Sequence, residues 1–226
     1  AKVIGINQVK GSSTIYDPTC GSGSLLLKAA DETDQSVSIY GQEKDVATAA
    51  LAKMNMILHN NPTADIRKGQ STLSNPLFTD PKTQKLKLFD FIVANPPFSN
   101  KAWRNGFNPE NDEYNRFADG IPPAKNGDFA FLLHIISSLK SKGKGAIILP
   151  HGVLFRGNAE AEIRKNLIRK GYIKGIISLP ANLFYGTGIP ACIIVIDKEN
   201  AAGRTGIFMI DASKSFVKDG NKNRLR

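Results

Sequence analysis

Two short motifs in the chain carry residue types suited to binding a nucleoside and activating an amino group. The first, Asp17-Pro18-Thr19-Cys20-Gly21-Ser22-Gly23, follows an apolar run and precedes a helical pattern. Its two glycines allow a ligand to approach the main chain closely. It departs from the dinucleotide fingerprint, because Leu26 stands where a third glycine belongs, and no lysine follows as in a Walker loop. A tight turn between a strand and a helix explains the glycines equally well.

Two carboxylates favour the ligand-binding interpretation of this motif. Asp17 precedes the glycines and can bind an ammonium group that lies over them. Glu43 follows Gly23 by 20 residues, a spacing at which an acidic residue can accept hydrogen bonds from ribose hydroxyls. A nucleoside that carries an amine, with no phosphate to be held, is S-adenosylmethionine. We therefore predict S-adenosylmethionine as the cofactor.

The second motif is Asn95-Pro96-Pro97-Phe98, directly after a strongly apolar run. The Asn95 side-chain oxygen and the Pro96 carbonyl are both acceptors. An exocyclic amino group placed between them donates both hydrogens, which frees its lone pair to attack a methyl group. Phe98 offers a flat surface for stacking a base, worth roughly 1–3 kcal/mol. For Asn-Pro-Pro alone, a stiff loop with an asparagine turn remains the alternative.

The surrounding pattern alternates short apolar runs with amphipathic helices. Strands are predicted at 14–16, 37–40, 64–67, 88–94, 145–149, 172–179 and 191–197, with a further short strand at 206–210. Helices are predicted at 24–30, 45–58, 128–139 and 158–169. This alternation predicts an α/β fold with a mostly parallel, seven-stranded sheet and helices on both faces. Ligands bind such sheets beyond the carboxyl ends of the strands, where both motifs fall.

Residues 99–127 interrupt the pattern with a long stretch of low periodicity beside the second motif. A stretch of this kind inside a domain is usually functional or mobile. Its aromatic residues, Trp103, Phe107, Tyr114 and Phe117, are expected either to pack locally or to touch DNA.

Composition excludes several classes of protein. The 226 residues are 41% hydrophobic and 22% charged, as in an ordinary globular domain, and apolar stretches reach only about six residues. A membrane-spanning helix needs about 20, so none is expected. Cys20 and Cys192 lie far apart, which argues against a disulfide framework or a zinc site and suits a reducing cytoplasm. No metal site is expected.

The formal charge of +10 is unevenly distributed. Between Lys140 and Lys174 there are nine lysines and arginines against two glutamates. Either this stretch is a solvated basic helix face, or it attracts a polyanion such as nucleic acid.

In combination, the motifs resemble the amino-group DNA methyltransferases of the adenine-N6 class. Further segments resemble the modification subunit of type I restriction–modification systems, in the order and spacing of that family, and the likeness covers 15–226. These segments are Asn126-Gly127-Asp128-Phe129-Ala130-Phe131, Gly145-Ala146-Ile147-Ile148-Leu149-Pro150, Phe184-Tyr185-Gly186-Thr187-Gly188-Ile189-Pro190 and Ile210-Asp211-Ala212-Ser213-Lys214.

The resemblance implies a role for each matching residue. The cofactor pocket would be formed by Asp17, Cys20, Gly21, Ser22, Gly23, Glu43, Asp128 and Phe129. The target adenine would be held by Asn95, Pro96, Pro97 and Phe98, with Phe184 or Tyr185 helping to hold the flipped base. Where the family often has an acidic residue after the third strand, this chain has Lys68-Gly69-Gln70-Ser71, so Gln70 or Ser71 would contact the cofactor's adenine amine.

The resemblance also implies a fold, a setting and partners. We expect a Rossmann-like S-adenosylmethionine-dependent methyltransferase domain spanning 1–226, as a fragment without the family's N-terminal helical domain, its upstream aromatic cofactor motif and its C-terminal region. The expected setting is cytoplasmic. The expected partners are double-stranded DNA, a specificity subunit, a second modification subunit and a restriction subunit.

Other functions stay open at this point. Methylation of a guanine N2 in ribosomal RNA or of a protein glutamine amide reuses Asn-Pro-Pro, although the glutamine enzymes usually continue with tyrosine. A cytosine-N4 methyltransferase usually has serine or aspartate in place of Asn95. A non-catalytic module for DNA binding or assembly is a fourth alternative, which intact Asp17, Glu43 and Asn95 disfavour.

Overall fold

The computed structural model describes residues 1–9, 11–184 and 187–226. Within that part of the chain, strands alternate with four α-helices. The strands are β1 (Ser13–Asp17), β2 (Val37–Glu43), β3 (Asp65–Lys68), β4 (Phe89–Ala94), β5 (Leu139–Pro150), β6 (Ile173–Ser178), β7 (Ala191–Asp197), β8 (Phe208–Asp211), β9 (Phe216–Asp219) and β10 (Lys222–Leu225). The helices are α1 (Ser24–Ala30), α2 (Val46–Leu58), α3 (Asp128–Ser138) and α4 (Ala159–Arg169).

Eight strands form one sheet in the order β3-β2-β1-β4-β5-β7-β6-β8. Strand β7 runs antiparallel to both neighbours, and the other described strands of this sheet run parallel to one another. β1 and β4 are adjacent, with Tyr16 opposite Ile92, and β4 pairs with β5, with Ala94 opposite Ile147. The segments that follow β1, β4 and β5 therefore leave the sheet side by side at one edge.

A separate core lies on each face of the sheet. Helices α1 and α2 cover one face through Leu26, Ala52 and Met56, which pack against Ile15 and Ile39 of the strands. Helices α3 and α4 cover the other face, and the cluster there includes the members Phe129, Leu133, Ile163, Leu167, Ile147 and Ile194. Alternate residues of each strand contribute side chains to the two cores, because successive side chains of a strand point to opposite faces. The predicted α/β sheet with helices on both faces is confirmed.

The predicted sheet was too small by one strand: the further short strand predicted at 206–210 is present as β8, and it belongs to the sheet. β8 pairs with β6 in parallel and makes eight strands in the sheet instead of seven. All four of its residues are exposed, so no buried alternation in the sequence marks β8 as a member of the sheet. Pairing with a strand some 30 residues upstream decides its membership. The sequence also gave no prediction of the β9–β10 hairpin, a two-stranded unit outside the main sheet.

The long segment 99–127 is irregular apart from one 3₁₀ turn at Pro109–Asn111. Trp103 and Phe117 are buried, and the Trp103 indole N–H donates to the Pro123 carbonyl at 2.9 Å. Local packing, one of the two expected roles of these aromatic residues, therefore holds for Trp103 and Phe117.

A buried arginine ties the same segment to the sheet. Arg116 is only 3% exposed, and its ion pair with Asp112 has an N–O distance of 2.5 Å. Its guanidinium also donates to the carbonyls of Thr72 and Leu73, at 3.2 and 2.7 Å. The segment thus braces the loop that follows β3.

Among the described residues, no helix is long and apolar enough to cross a membrane. The same residues contain no group of three or more His, Cys, Asp or Glu side chains placed to hold a metal ion.

Candidate active site

Asp17 ends β1 at the carboxyl edge of the sheet. Its side chain is buried, and one carboxylate oxygen accepts the Thr19 N–H at 2.9 Å. Burial raises the pKa of Asp17 to about 7, and the negative charge of Glu43 acts in the same direction. Within the described chain Asp17 has no ion pair, so its buried carboxylate fits a ligand that brings a positive charge, as the ammonium group of S-adenosylmethionine does.

Two glycines give the loop after Asp17 its shape. Gly21 and Gly23 have φ of 54° and 80°, in the left-handed region that glycine adopts without strain. A Cβ on Gly21 would meet no atom within 4 Å, whereas one on Gly23 would lie 2.7 Å from Met56 Cε on α2. The left-handed backbone at position 23 therefore favours glycine, with Met56 packed close against it, and Gly21 leaves open space above the loop where a ligand can lie.

The rest of the loop is held by the neighbouring elements. Ser22 accepts a hydrogen bond at its carbonyl from the Asn55 side chain, at 2.9 Å. The Cys20 N–H donates to the Gln42 carbonyl of β2, at 3.0 Å. The Cys20 side chain is buried, and burial raises the pKa of its thiol. A protonated, buried thiol fits a packing role in the loop and not that of a nucleophile.

Glu43 ends β2 beside this loop. One carboxylate oxygen accepts the Gly21 N–H and the other accepts the Asp45 N–H, both at 2.9 Å. Glu43 therefore fixes the glycine loop directly, a role that the sequence did not reveal. Each carboxylate oxygen has a second lone pair, so the predicted hydrogen bonds to ribose hydroxyls are compatible with these contacts.

Gln70 and Ser71 begin the loop after β3. Gln70 is exposed, and its carbonyl accepts from the side chain of Gln42, a fully buried residue of β2. The Ser71 hydroxyl accepts the Leu73 N–H at 3.3 Å. Gln42 and Arg116 together hold the main chain of this loop. Contact of Gln70 or Ser71 with the cofactor's adenine stays a prediction.

The second motif lines a cavity of about 410 Å³ at the same edge of the sheet. Asn95 is exposed, and the Phe98 and Phe184 rings meet edge-to-face with centroids 5.8 Å apart. The cavity is lined by Asn95, Pro96, Pro97, Phe98, Ser99, Phe184, Thr187 and Ile189. The fold thus brings Phe184 to the Asn-Pro-Pro-Phe motif across 86 residues of sequence. Tyr185 lies outside the described residues.

Asp128 connects this motif to the rest of the fold. Its carboxylate is fully buried, and it accepts the Ser99 N–H and an Arg156 guanidinium N–H, both at 2.7 Å. Ser99 has a φ of 51°, a conformation that residues other than glycine seldom adopt. Arg156 also pairs with the buried Glu160. Asp128 therefore holds the end of the second motif, the predicted base-binding motif Asn95-Pro96-Pro97-Phe98, in place, and its own contact with the cofactor stays a prediction.

Phe129, the other residue assigned to the cofactor's adenine, has a buried ring. It packs in the core on the α3 and α4 face, beside Leu132, Val153 and Ile194. Its assignment to the cofactor pocket likewise stays a prediction.

Sequence reasoning missed four residues that support this site: Gln42, Glu160, Arg116 and Arg156. Gln42, Arg116 and Arg156 act on segments far away in sequence, and Glu160 acts through Arg156, so no local motif marks them as part of the site.

The basic stretch from Lys140 to Lys174 is largely paired within the protein. Six of its nine basic residues form ion pairs, namely Lys140–Asp90, Lys144–Glu199, Arg156–Asp128, Lys165–Glu162, Lys170–Asp119 and Lys174–Asp197. Lys140 and Lys174 lie near the starts of β5 and β6, at the edge opposite Asn95. The formal charge of this stretch therefore overstates what is available to a polyanion beside the candidate site.

The sheet order, the single antiparallel strand β7, and two motifs at the carboxyl edge define an α/β domain of the Rossmann-like methyltransferase class. Within that class, the chain belongs to the N-6 DNA Methylase family, whose model matches residues 1–226.

Proteins of similar sequence include methylase subunits of type I restriction enzymes. The chain is 35% identical over 224 residues to the type I restriction enzyme MpnII methylase subunit of Mycoplasma pneumoniae, covering 93% of this chain and 40% of that protein. It is 36% identical over 216 residues to the HindI methylase subunit of Haemophilus influenzae, covering 92% and 46%. The chain thus spans less than half the length of these relatives.

Solved structures give the same result. The type I restriction-modification system methyltransferase subunit from Streptococcus thermophilus superposes with a TM-score of 0.80 at 41% identity, covering 95% of this chain and 45% of that one. The EcoKI M protein superposes with a TM-score of 0.65 at 25% identity, covering 85% and 41%.

Proposed function

We propose that this chain is the catalytic part of a type I modification subunit that transfers a methyl group from S-adenosylmethionine to the N6 amino group of adenine in DNA. The observation that carries the proposal is the cavity lined by Asn95, Phe98 and Phe184 beside the Asp17 loop. Asp17 and Asn95 follow neighbouring parallel strands, and such strands lie about 4.8 Å apart. The family and the methylase-subunit relatives favour DNA adenine over the ribosomal RNA, glutamine and non-catalytic alternatives.

The chain supplies position and hydrogen-bond acceptors. Asp17 would hold the ammonium group of S-adenosylmethionine over Gly21, and Glu43 would accept from its ribose. When bound, that cofactor supplies an electrophilic methyl group on a sulfonium that is already a good leaving group.

The target base would have to leave the duplex to reach the cavity, because its amino group is inaccessible within the stack. In the cavity, the Asn95 side-chain oxygen and the Pro96 carbonyl accept the two amino hydrogens, and the Phe98 and Phe184 rings hold the base. The nitrogen lone pair would then be free for attack on the methyl group that the cofactor supplies when bound, and the fixed position of the base would favour this transfer.

The proposal extends to partners and setting. The partners are double-stranded DNA, a specificity subunit, a second modification subunit and a restriction subunit, in the cytoplasm. What supports it is the similarity to subunits named as parts of type I restriction enzymes.

The direct test uses the full-length protein with its partner subunits, methyl-labelled cofactor and duplex DNA. Digestion of the DNA to nucleosides should place the label in N6-methyl-2′-deoxyadenosine. Label in N4-methylcytosine, in guanine of ribosomal RNA or in protein would contradict the proposal, as would no transfer at all.

A second test concerns the choice of DNA sequence. Phosphate contacts position a protein, whereas side chains delivered to base edges select a sequence. The described elements are occupied by the sheet, its helices and the site, so selection should need the specificity subunit. Titration of the full-length subunit, alone and with that partner, on specific and scrambled duplexes at physiological salt should show discrimination only in the second case. Strong discrimination by the subunit alone would contradict this division of roles.

A further inference from the structure

Phe155 is an exposed aromatic side chain at the carboxyl edge of the sheet. It is 75% exposed and follows the 3₁₀ turn His151–Leu154, which directly continues β5. Single exposed apolar residues are common on protein surfaces, so exposure alone does not indicate a function. Its neighbours and its support distinguish Phe155 from the other exposed apolar residues.

The segment that carries Phe155 is hydrogen-bonded to two residues that adjoin the lining of the base cavity, Asp128 and Pro190. On one side, Arg156 donates to Asp128, and Asp128 accepts the N–H of Ser99, which lines the cavity. On the other side, the His151 N–H donates to the Pro190 carbonyl at 3.0 Å, next to Ile189 of the opposite wall. Phe155 therefore belongs to a loop fixed against the rim of the cavity.

The backbone of this loop is also rigid. The Phe155 and Arg156 N–H groups both donate to the Gly152 carbonyl, at 3.2 and 3.0 Å. Asn158, three residues beyond Phe155, has φ of 54° and ψ of −133°, a positive φ that residues other than glycine adopt only with some strain. Such strain persists only where the surroundings impose it, and it clusters at functional sites. Arg156, held by Asp128 and Glu160, provides that constraint.

We propose that Phe155 is a DNA-contacting residue that inserts into the base stack beside the extruded target adenine. This inference rests on the proposed function. A flipped base leaves a gap in the duplex, and proteins that distort DNA often insert apolar side chains such as phenylalanine between base steps. A rigidly presented ring recovers stacking that the extruded base has lost. Duplex DNA is thus the partner that the position of Phe155 favours.

The test compares Phe155→Ala with Phe208→Ala in the full-length protein assembled with its specificity partner. Phe208 is a matched control, because its ring is 69% exposed but lies on β8, at the edge of the sheet away from the cavity. Two duplexes that carry the specific site serve as substrates. Each is prepared with adenine as the target base, for methylation rates, and with 2-aminopurine at that position, for base extrusion. In one the target is paired, and in the other it faces an abasic site. Thermal unfolding and the Kd for S-adenosylmethionine are measured for every protein.

Phe155→Ala should lose roughly tenfold in kcat/KM on the paired duplex and give a weaker 2-aminopurine signal, as expected when about 1–3 kcal/mol of stacking is lost. On the abasic duplex the loss should shrink to about threefold or less, since an unpaired base is extruded at lower cost. Phe155→Trp should retain activity, and Phe208→Ala should match the wild type in every assay.

Three results would overturn the proposal. The first is wild-type kcat/KM for Phe155→Ala on the paired duplex. The second is an equal loss on both duplexes, which would mean that Phe155 does not act in base extrusion. The third is loss of the specificity partner from the assembly, which would make Phe155 a subunit contact. Absence of methyl transfer by the wild-type assembly on either duplex would instead contradict the proposed function.

Discussion

The glycine loop after β1 and the base-binding motif after β4 lie on neighbouring strands but are held in different ways. The glycine loop, residues 17–23, is fixed by the next strand and helix along the chain, through Glu43, Gln42 and Asn55. The base-binding motif ends at Ser99, which is held by Asp128 and, behind it, Arg156. One loop is thus supported by hydrogen bonds from the next strand and helix along the chain, and the other by a buried ionic network.

This difference separates two tasks. The glycine loop should control how tightly the cofactor binds, because one of its supports, Glu43, is also a predicted ligand contact. The base-binding motif should control turnover, because its supports set the position of the acceptors and not their identity. Substitutions in the two loops should therefore change different kinetic constants.

Asn95→Ala should have the largest effect. Removing one preorganised polar group at a reacting centre commonly costs about 10²–10³ in rate. We expect that loss in kcat, with the Kd for S-adenosylmethionine nearly unchanged, in single-turnover methylation at saturating DNA. Asn105→Ala, an exposed asparagine of the following segment, should be neutral. Near wild-type turnover in Asn95→Ala would remove the base-binding motif from the chemistry.

Arg156→Ala tests the remote support of that motif. It leaves the buried carboxylates of Asp128 and Glu160 without their cation, and breaking a buried pair costs about 3–5 kcal/mol. Because the Arg156 side chain is 29% exposed, we expect a decrease in the free energy of unfolding toward the lower end, about 3 kcal/mol. kcat should fall while the cofactor Kd changes little, because Asp128 would hold Ser99, at the end of the base-binding motif, less firmly.

Arg224→Ala is the matched control, since its ion pair with Asp219 is exposed on both sides and such pairs contribute about 0–1 kcal/mol. In denaturant unfolding and methylation assays, Arg156→Ala should lose both stability and rate, and Arg224→Ala should stay close to the wild type. Equal losses of stability would mean that the Asp128 network does not support the base-binding motif.

Glu43→Ala should act on the cofactor side. It removes an ionised acceptor of the Gly21 N–H and of the predicted ribose contacts, and hydrogen bonds to charged groups are worth about 1.5–3 kcal/mol. Calorimetry should show a Kd for S-adenosylmethionine weakened by about 10- to 150-fold, with kcat at saturating cofactor largely retained. Glu162→Ala, an exposed carboxylate on α4, serves as the control. An unchanged Kd in Glu43→Ala would reduce Glu43 to a surface carboxylate.

The pH dependence of cofactor binding should be the smallest effect. Burial raises the pKa of Asp17 to about 7, and only the ionised carboxylate attracts an ammonium group. Cofactor affinity should therefore rise by roughly eightfold from pH 6 to 7.5, below the region near pH 8 where an α-amino group loses its proton. In Asp17→Asn, affinity should be lower and flat over this range. A wild-type affinity that does not vary between pH 6 and 7.5 would contradict the role of Asp17.

Asp17 should affect the stability of the cofactor-free protein in the opposite direction: the free energy of unfolding should fall as the pH rises. The folded state holds a proton on Asp17 up to about pH 7, whereas the unfolded chain releases it near 3.9. The stabilising contribution is complete below the unfolded pKa and is lost as the pH rises through the folded value. Asp17→Asn should remove this part of the decrease in the free energy of unfolding between about pH 4 and 7.

The parts of this protein that depend on local order are predictable from the amino-acid sequence. The alternation of strands and helices, both motifs, and their place at the carboxyl edge follow from periodicity and turn chemistry, which act within a few residues. The sheet with helices on both faces, and Asp17, Glu43 and Asn95 at strand ends, were therefore predictable. Membership of β8 in the sheet was not, because its exposed residues carry no pattern of burial.

The distant residues that support the site could be identified only from the folded chain. Phe184 meets Phe98, Arg116 braces the loop after β3, and Arg156 reaches Ser99 through Asp128. In the sequence, Arg156 is one of nine basic residues in a stretch that suggests a solvated face or a polyanion site. Burial gives it a different role, because a carboxylate removed from water must have a cation or hydrogen-bond donors nearby, and only the folded chain determines which carboxylates are buried and which arginine faces them.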